Sequence, residues 1–269
     1  MKPLLVVDGD SLAHRAYHAM PKSIRLNGVL GLANMFLRLW ESEEPRGVLV
    51  GWDTYEIPTY RHQAFEPYQS GRVFEESLLE QLPLMVQLSG AMGFANAKEG
   101  GYEADDFLGA AVASEEKRKG RALVATSDRD LFQLASDRTT ILQPVRGVSE
   151  LARIGPREVV ERYGVEPKQV PDFIALRGDP SDKLPGARGV GPKKAADVLR
   201  EYGSLEAALE AGRFSAEAED LRLYRRIATV DASAPLPPLE DQYPTWTEAS
   251  AIAQDWGLNG LADRLSKLG

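Results

Sequence analysis

Three short, unbroken apolar runs alternate with helical stretches in the first half of the chain, and each leads into an aspartate. The runs are LLVV at 4–7, GVLVGW at 47–52 and ALVAT at 122–126, leading to Asp8, Asp53 and Asp128. A strand packed on one face alternates apolar with polar residues, whereas one covered on both faces is apolar throughout. Helical periodicity fills roughly 12–20, 29–41, 74–92 and 103–119, the last framed by Gly100-Gly101 and Gly120. The pattern predicts an α/β fold: a mainly parallel central sheet flanked by helices. In such sheets ligands bind in the crevice beyond the carboxyl ends of the strands. Three strand-end aspartates therefore point into one place.

Other acids fall nearby. Glu103, Asp105 and Asp106 open the helical segment that starts at 103, where acids suit the helix dipole. Asp130 follows Asp128 by two residues, and Asp179 and Asp182 bracket Pro180-Ser181. Any one of these reads as a cap or turn residue. The set does not, because only Arg129 and Lys183 interrupt the motifs. Two carboxylates about 4 Å apart repel by roughly 1 kcal/mol in water and about 4 at an effective dielectric of 20. A crowded cluster must protonate or hold multivalent cations, and oxygen-only donors select Mg²⁺ or Mn²⁺. Asp10 is set apart as a cap for the helix beginning near Ser11.

The chain has no cysteine and only three histidines, which excludes disulfides and makes a poor case for tetrahedral zinc. No secretory pattern opens it, and no apolar run reaches membrane-spanning length, so a cytoplasmic protein without membrane contact is expected. From about Gly155 the texture changes to short helices at 156–163, 170–176, 192–202 and 205–210, separated by Gly and Pro. A Pro-rich connector at 234–238 precedes a last helical stretch at 247–268. Three parts follow: a core at 1–164 with an inserted segment at about 54–80, a helical lobe at 165–232, and a connector and helix at 233–269.

The motifs LLVVDG (4–9), WDTYEIPTYRHQAFEPYQSGR (52–72), GYEADD (101–106), TSDRDLFQL (126–134), RGDPSDKLPG (177–186) and GVGPKKAADVL (189–199) together resemble the flap endonuclease and 5′-nuclease family. The likeness is greatest to the 5′→3′ exonuclease domain at the front of bacterial DNA polymerase I, and it covers nearly the whole chain. It implies a PIN-like nuclease core, a helical arch over 55–77 that a single 5′ strand passes through, and a helical H3TH lobe that grips duplex DNA. With no polymerase segment after Gly269, a stand-alone monomer or a fragment is expected.

Residue by residue, the resemblance implies a first metal set of Asp8, Asp53, Glu103, Asp105 and Asp106. The second is Asp128, Asp130, Asp179 and Asp182. Arg15 and Arg72 match catalytic basic positions, and Arg61, Tyr68 and Gln69 fall among the arch's DNA contacts. Gln69 stands where the family usually carries a phosphate-holding lysine, so Arg72 or Arg15 compensates or the rate is lower. Tyr17 either stacks a base or belongs to the core. Gly189, Gly191, Lys193 and Lys194 match the lobe's phosphate-binding hairpin, where the family also holds K⁺. Lys183 replaces a common asparagine, where a lysine would compete with the second metal or tune it.

The net charge of −8 is unusual for a nucleic-acid binder. Setting aside the nine site acids leaves +1, so a local basic track is still available. The implied activity is two-metal hydrolysis of DNA at a 5′ flap or 5′ single-stranded end during replication and repair. A PIN-type ribonuclease and a non-catalytic branched-DNA-binding module are the rivals.

Overall fold

The computed structural model describes residues 2–146 and 150–269. Its sheet has six strands: β1 (Leu4–Asp8), β2 (Gly47–Gly51), β3 (Ala95–Ala97), β4 (Ala122–Ala125), β5 (Thr139–Arg146) and β6 (Glu150–Ile154), in the order β3-β2-β1-β4-β5-β6. All neighbours are parallel except β5 and β6. The chain builds outward from β1 on one side, then restarts with β4 on the other. The switch point therefore falls between β1 and β4, where a crevice opens beyond the strand ends.

Helices cover both faces. They are α1 (Gly9–Ala19), α2 (Asn27–Glu43), α3 (Tyr60–Ala64), α4 (Glu76–Leu79), α5 (Leu82–Ala91) and α6 (Ala104–Lys117) in the first half. The lobe contributes α7 (Pro156–Tyr163), α8 (Val170–Arg177), α9 (Pro192–Tyr202), α10 (Leu205–Glu210) and α11 (Ala218–Ala228). The chain closes with α12 (Trp246–Asp255) and α13 (Asn259–Ser266).

Successive strand residues face opposite sides, so the apolar runs divide into two cores. Leu5, Val7, Val48 and Val50 pack with α1, α2, α5, α12 and α13. Leu4, Val6, Leu49 and Val124 pack under Phe107 and Leu108 of α6, and this core runs on into Ile174, Leu199 and Leu221 of the lobe. The lobe thus shares a hydrophobic core with one sheet face, which holds it beside the crevice.

Several expectations change. The helix expected at 74–92 is two, because Pro83 fits only the first turn of α5 and starts it anew. The helix expected at 247–268 breaks at Gly257, which has φ +76°. Strands β3, β5 and β6 lack the apolar signature. β3 has three residues, β5 carries Pro144 at a register irregularity, and β6 is the polar antiparallel edge. The segment expected as a helical arch, 55–77, holds the short helix α3, a run of turns at 66–71 and the first residues of α4.

Candidate active site

Gly9 lets the end of β1 approach β2: a Cβ there would lie 2.6 Å from the Trp52 ring and 2.7 Å from the Gly51 carbonyl. That close approach brings Asp8 and Asp53 to one edge of a cavity of about 700 Å³. Asp8, Asp10, Asp53, Glu103, Asp105, Asp128, Asp130, Asp179 and Asp182 all line it. The cations on its wall are Arg15, Arg72, Arg129 and Arg177.

Besides Asp10, six of these acids are held by specific neighbours. Asp8 caps α1, accepting from the Ser11 N–H (3.0 Å), while its other oxygen accepts from the Thr126 hydroxyl (2.7 Å). Thr126 also accepts from the Asp128 N–H (2.9 Å), so one buried hydroxyl joins the ends of β1 and β4. Asp53 accepts from the Ala104 N–H at the start of α6 (2.8 Å). Glu103 accepts from the Thr59 hydroxyl (2.9 Å) and the Tyr68 hydroxyl (3.0 Å). Asp128 accepts from the Asp130 N–H (2.8 Å). Asp179 accepts from the Ser181 N–H and hydroxyl and from Arg177 (3.1 Å). Asp182 is engaged by Arg72 (3.0 Å) and by the Gln69 amide (3.3 Å), which bridges to the Tyr68 hydroxyl.

The charge is largely uncompensated. Burial, reinforced by neighbouring carboxylates, pushes Asp8 and Asp53 up to about 7, and Asp182 to about 6. Burial also raises Asp128, and lifts Asp105 and Asp130 well above the usual carboxylate range. Asp128 opens onto the cavity, yet protein surrounds it deeply enough to hinder ionisation. Neighbouring acids that resist ionisation together are what an absent multivalent cation would relieve. The donor set is all oxygen, suited to hard divalent ions. Among the described residues, no three acidic or histidine side chains close on one point by themselves. An ion here would keep several waters, as Mg²⁺-type ions do.

Of the expected site residues, Asp106 and Arg61 lie off the cavity, and Tyr68 reaches its wall but is buried. Asp106 is fully buried and turned away from the cavity. It receives Arg61 through two bonds (2.8 and 2.7 Å), the backbone N–H of Glu103 (3.1 Å) and Asp231 (2.8 Å), and the Tyr60 hydroxyl (3.2 Å). Every lone pair has a donor, so Asp106 is a structural partner and not a metal ligand. Arg61 is correspondingly 3% exposed, unavailable to DNA, and fastens α3 to the Ile227 carbonyl at the end of α11 (2.9 Å). Tyr68 is also buried, steadying Glu103 instead of meeting a strand.

Other placements are also revised. Asp10 does not cap α1; Asp8 does. Tyr17 is core, its hydroxyl donating to Glu75 (3.0 Å). Lys183 is exposed and lies off the cavity wall, so it does not compete there. Arg15 and Arg72 do line the wall, Arg15 donating to the Val145 carbonyl (2.9 Å). Gly189, Gly191, Lys193 and Lys194 lie apart, around the start of α9. There Lys193, Arg162, Arg177 and Arg200 line a second recess of about 500 Å³. Arg177 and Tyr163 wall both cavities. Thr126, Thr59 and Tyr55 are site residues that sequence reasoning missed.

The molecule is thus a doubly covered sheet with an acid-lined crevice at its switch point and a helical lobe alongside. Family models for the 5′-3′ exonuclease match on both parts, the N-terminal resolvase-like domain over residues 3–164 and the C-terminal SAM fold over 165–249. The chain belongs to the 5′-3′ exonuclease family. DNA polymerase I of Mycobacterium tuberculosis (strain H37Rv) is 40% identical over 215 residues, 77% of this chain and 24% of the relative. DNA polymerase I of Bacillus subtilis is 34% identical over 99% of this chain and 32% of the relative. The chain thus spans only a quarter to a third of these relatives. Among solved structures, a zinc-bound T5 5′-exonuclease superposes with TM-score 0.73 at 18% identity, covering 98% of each chain. The catalytic core of Rad2 with a DNA substrate gives 0.61 at 13%, covering 98% of this chain and 93% of that one. At these identities the likeness shows the fold.

Proposed function

We propose that this chain hydrolyses phosphodiester bonds of DNA at 5′ flaps and 5′ single-stranded ends, with divalent metal ions held in the acidic cavity. The observation that carries the reading is the cavity itself. Nine carboxylates line one space with four arginines on its wall, and seven of those carboxylates resist ionisation without a cation. Asp8, Asp53, Glu103 and Asp105 would hold one Mg²⁺ or Mn²⁺, and Asp128, Asp130, Asp179 and Asp182 a second. When bound, such ions lower the pKa of a coordinated water and offset charge on the attacked phosphate.

The residues present do the positioning. Thr126 fixes the Asp8 carboxylate relative to the Asp128 turn, while Thr59 and Tyr68 hold Glu103. Arg15 and Arg72 present positive charge to a phosphodiester in the cavity, where preorganised donors act most strongly. The recess at Lys193, Arg162 and Arg200 offers charge to the duplex backbone without reading sequence. At the hairpin, the Gly189 carbonyl already holds the Lys194 ammonium (2.9 Å), so K⁺ would share that oxygen with the lysine. The match to the C-terminal SAM fold favours this reading over a PIN-type ribonuclease, which needs no such lobe. No helix among the described residues is long and apolar enough to cross a membrane, and a cytoplasmic monomer acting in replication and repair is part of the proposal.

Titrating Mg²⁺ against matched DNA and RNA flaps tests it. Metal-dependent cutting of the DNA flap is expected, leaving a 5′-phosphate and a 3′-hydroxyl. Binding at every Mg²⁺ concentration with no cleavage would refute the nuclease reading, and preferential cutting of the RNA flap would favour the ribonuclease.

A further inference from the structure

Asp10 lies on the first turn of α1, two residues beyond Asp8, and is only 6% exposed. Both of its oxygens are used, and neither caps the helix. One accepts from the backbone N–H of Asp53 (2.7 Å), and the other from the Tyr55 hydroxyl (2.7 Å). Asp53 also has one carboxylate oxygen tied to the Ala104 N–H (2.8 Å). Its main chain is thus held from α1 and its side chain from α6, leaving the other oxygen for the cavity.

The Tyr55 bond reaches further. The Tyr55 ring packs edge-on against Phe74 (5.0 Å between centroids), and Phe74 packs against His14 (5.0 Å), one turn along α1 from Asp10. Tyr55 and Phe74 stand at the two ends of the segment that crosses the cavity. The contacts Asp10–Tyr55–Phe74–His14 therefore close that segment into a loop with its neck fastened to α1.

Building on the nuclease reading, we propose that Asp10 is a positioning residue: it fixes Asp53 in the cavity and, through Tyr55, closes the neck of the segment crossing it. Carboxylate acceptors form the stronger class of hydrogen bond. Asparagine has one acceptor oxygen, so in Asp10→Asn the Asp53 N–H can stay on that oxygen only if the amide N–H donates back to the Tyr55 oxygen; one bond is reversed and both lose their charged acceptor. Partners one shell out from a metal typically carry about 10–100-fold in metal affinity or activity.

The test compares the parent chain, Asp10→Asn and Tyr55→Phe on a labelled 5′ flap with Mn²⁺. Bound Mn²⁺ is counted by electron paramagnetic resonance, and flap affinity is measured without divalent metal. For Asp10→Asn, kcat at saturating Mn²⁺ is expected to fall about 10–100-fold, with flap affinity and the number of bound ions unchanged. Tyr55→Phe alters no charge and keeps the Asp53 bond, so it should raise KM while leaving kcat near the parent value. Full recovery of kcat in Asp10→Asn at high Mn²⁺ would reduce the residue to a source of charge and overturn the proposal. An unchanged KM in Tyr55→Phe would overturn the neck, a result that stands even if Asp10→Asn does not fold. A parent chain that binds flap but never cuts would overturn the nuclease reading, and this inference with it. Normal cutting by Asp10→Asn overturns this inference alone.

Discussion

Asp105 and Asp106 are neighbours in the chain, both in the first turn of α6, and their surroundings are opposite. Asp105 faces the cavity among other carboxylates, and burial lifts it well above the usual carboxylate range. Asp106 points the other way, into a socket where Arg61, Tyr60 and two backbone N–H groups surround it. The socket joins α3, α6 and the end of α11, so Asp106 holds the lobe and the covering segment to the core. An acid crowded by other carboxylates suits a multivalent cation; an acid with every lone pair satisfied marks architecture. The distinction separates roles that a motif such as GYEADD merges.

The comparison can be broken most sharply at the acids themselves. Replacing a cavity acid, as in Asp128→Asn or Asp105→Asn, is expected to abolish cutting while leaving flap binding intact and metal-free stability equal or higher. Full activity in either variant, assayed on a labelled flap, would remove that residue from the metal set. Asp106→Asn should do the reverse. Breaking a buried ion pair from one side costs about 3–5 kcal/mol, read as a lower urea midpoint, and any loss of activity should follow loss of fold. A variant as stable as the parent but inactive would return Asp106 to the metal site.

A smaller effect comes from pH. Burial holds Asp8, Asp10 and Asp53 up to about 7, against 3.8 for the free side chain. Between those values the folded state keeps protons that the unfolded chain has released. The stability that these three groups contribute without metal is thus fully present below about pH 4 and is lost as pH rises through about 7. The melting temperature without metal should fall by several degrees over that window, roughly 2–4 °C per kcal/mol for a chain of this size. Adding Mn²⁺ at pH 7 should restore it; a melting temperature that rises with pH would contradict the burial argument. Smallest is the lobe: Lys193→Gln should weaken binding of all sequences alike and lower the salt slope by about 1.

How much the sequence disclosed follows the same division. The strands β1, β2 and β4 were legible because burial on both faces leaves unbroken apolar runs, and their terminal aspartates located the crevice. The hairpin of β5 and β6 was not, since Pro144 and an exposed polar edge erase the pattern; its residues 147–149 lie outside the described ones. Helices α3 and α11 went unread: α3 has five residues, and α11 was absorbed into an undivided lobe. Thr126 and Asp10 act on partners 118 and 43 residues away, which only strand register brings together. Asp106 left a signal that went unused. It sits three residues after the helix cap Glu103, where an acid reaches back to the cap N–H. Arg61 offered no such signal, because a motif fixes a residue's identity without fixing which way it faces.

The central claim is that the cavity acids are a metal-dependent hydrolytic centre distinct from the paired acid beside them. Mapping the products of a 5′-labelled DNA flap at single-nucleotide resolution, with the parent chain and Asp128→Asn across a Mg²⁺ titration, tests it directly. Cleavage near the flap junction that requires Mg²⁺ and vanishes in Asp128→Asn, with flap affinity unchanged, is the expected result. Cleavage without divalent metal, or equal cleavage by Asp128→Asn, would contradict it.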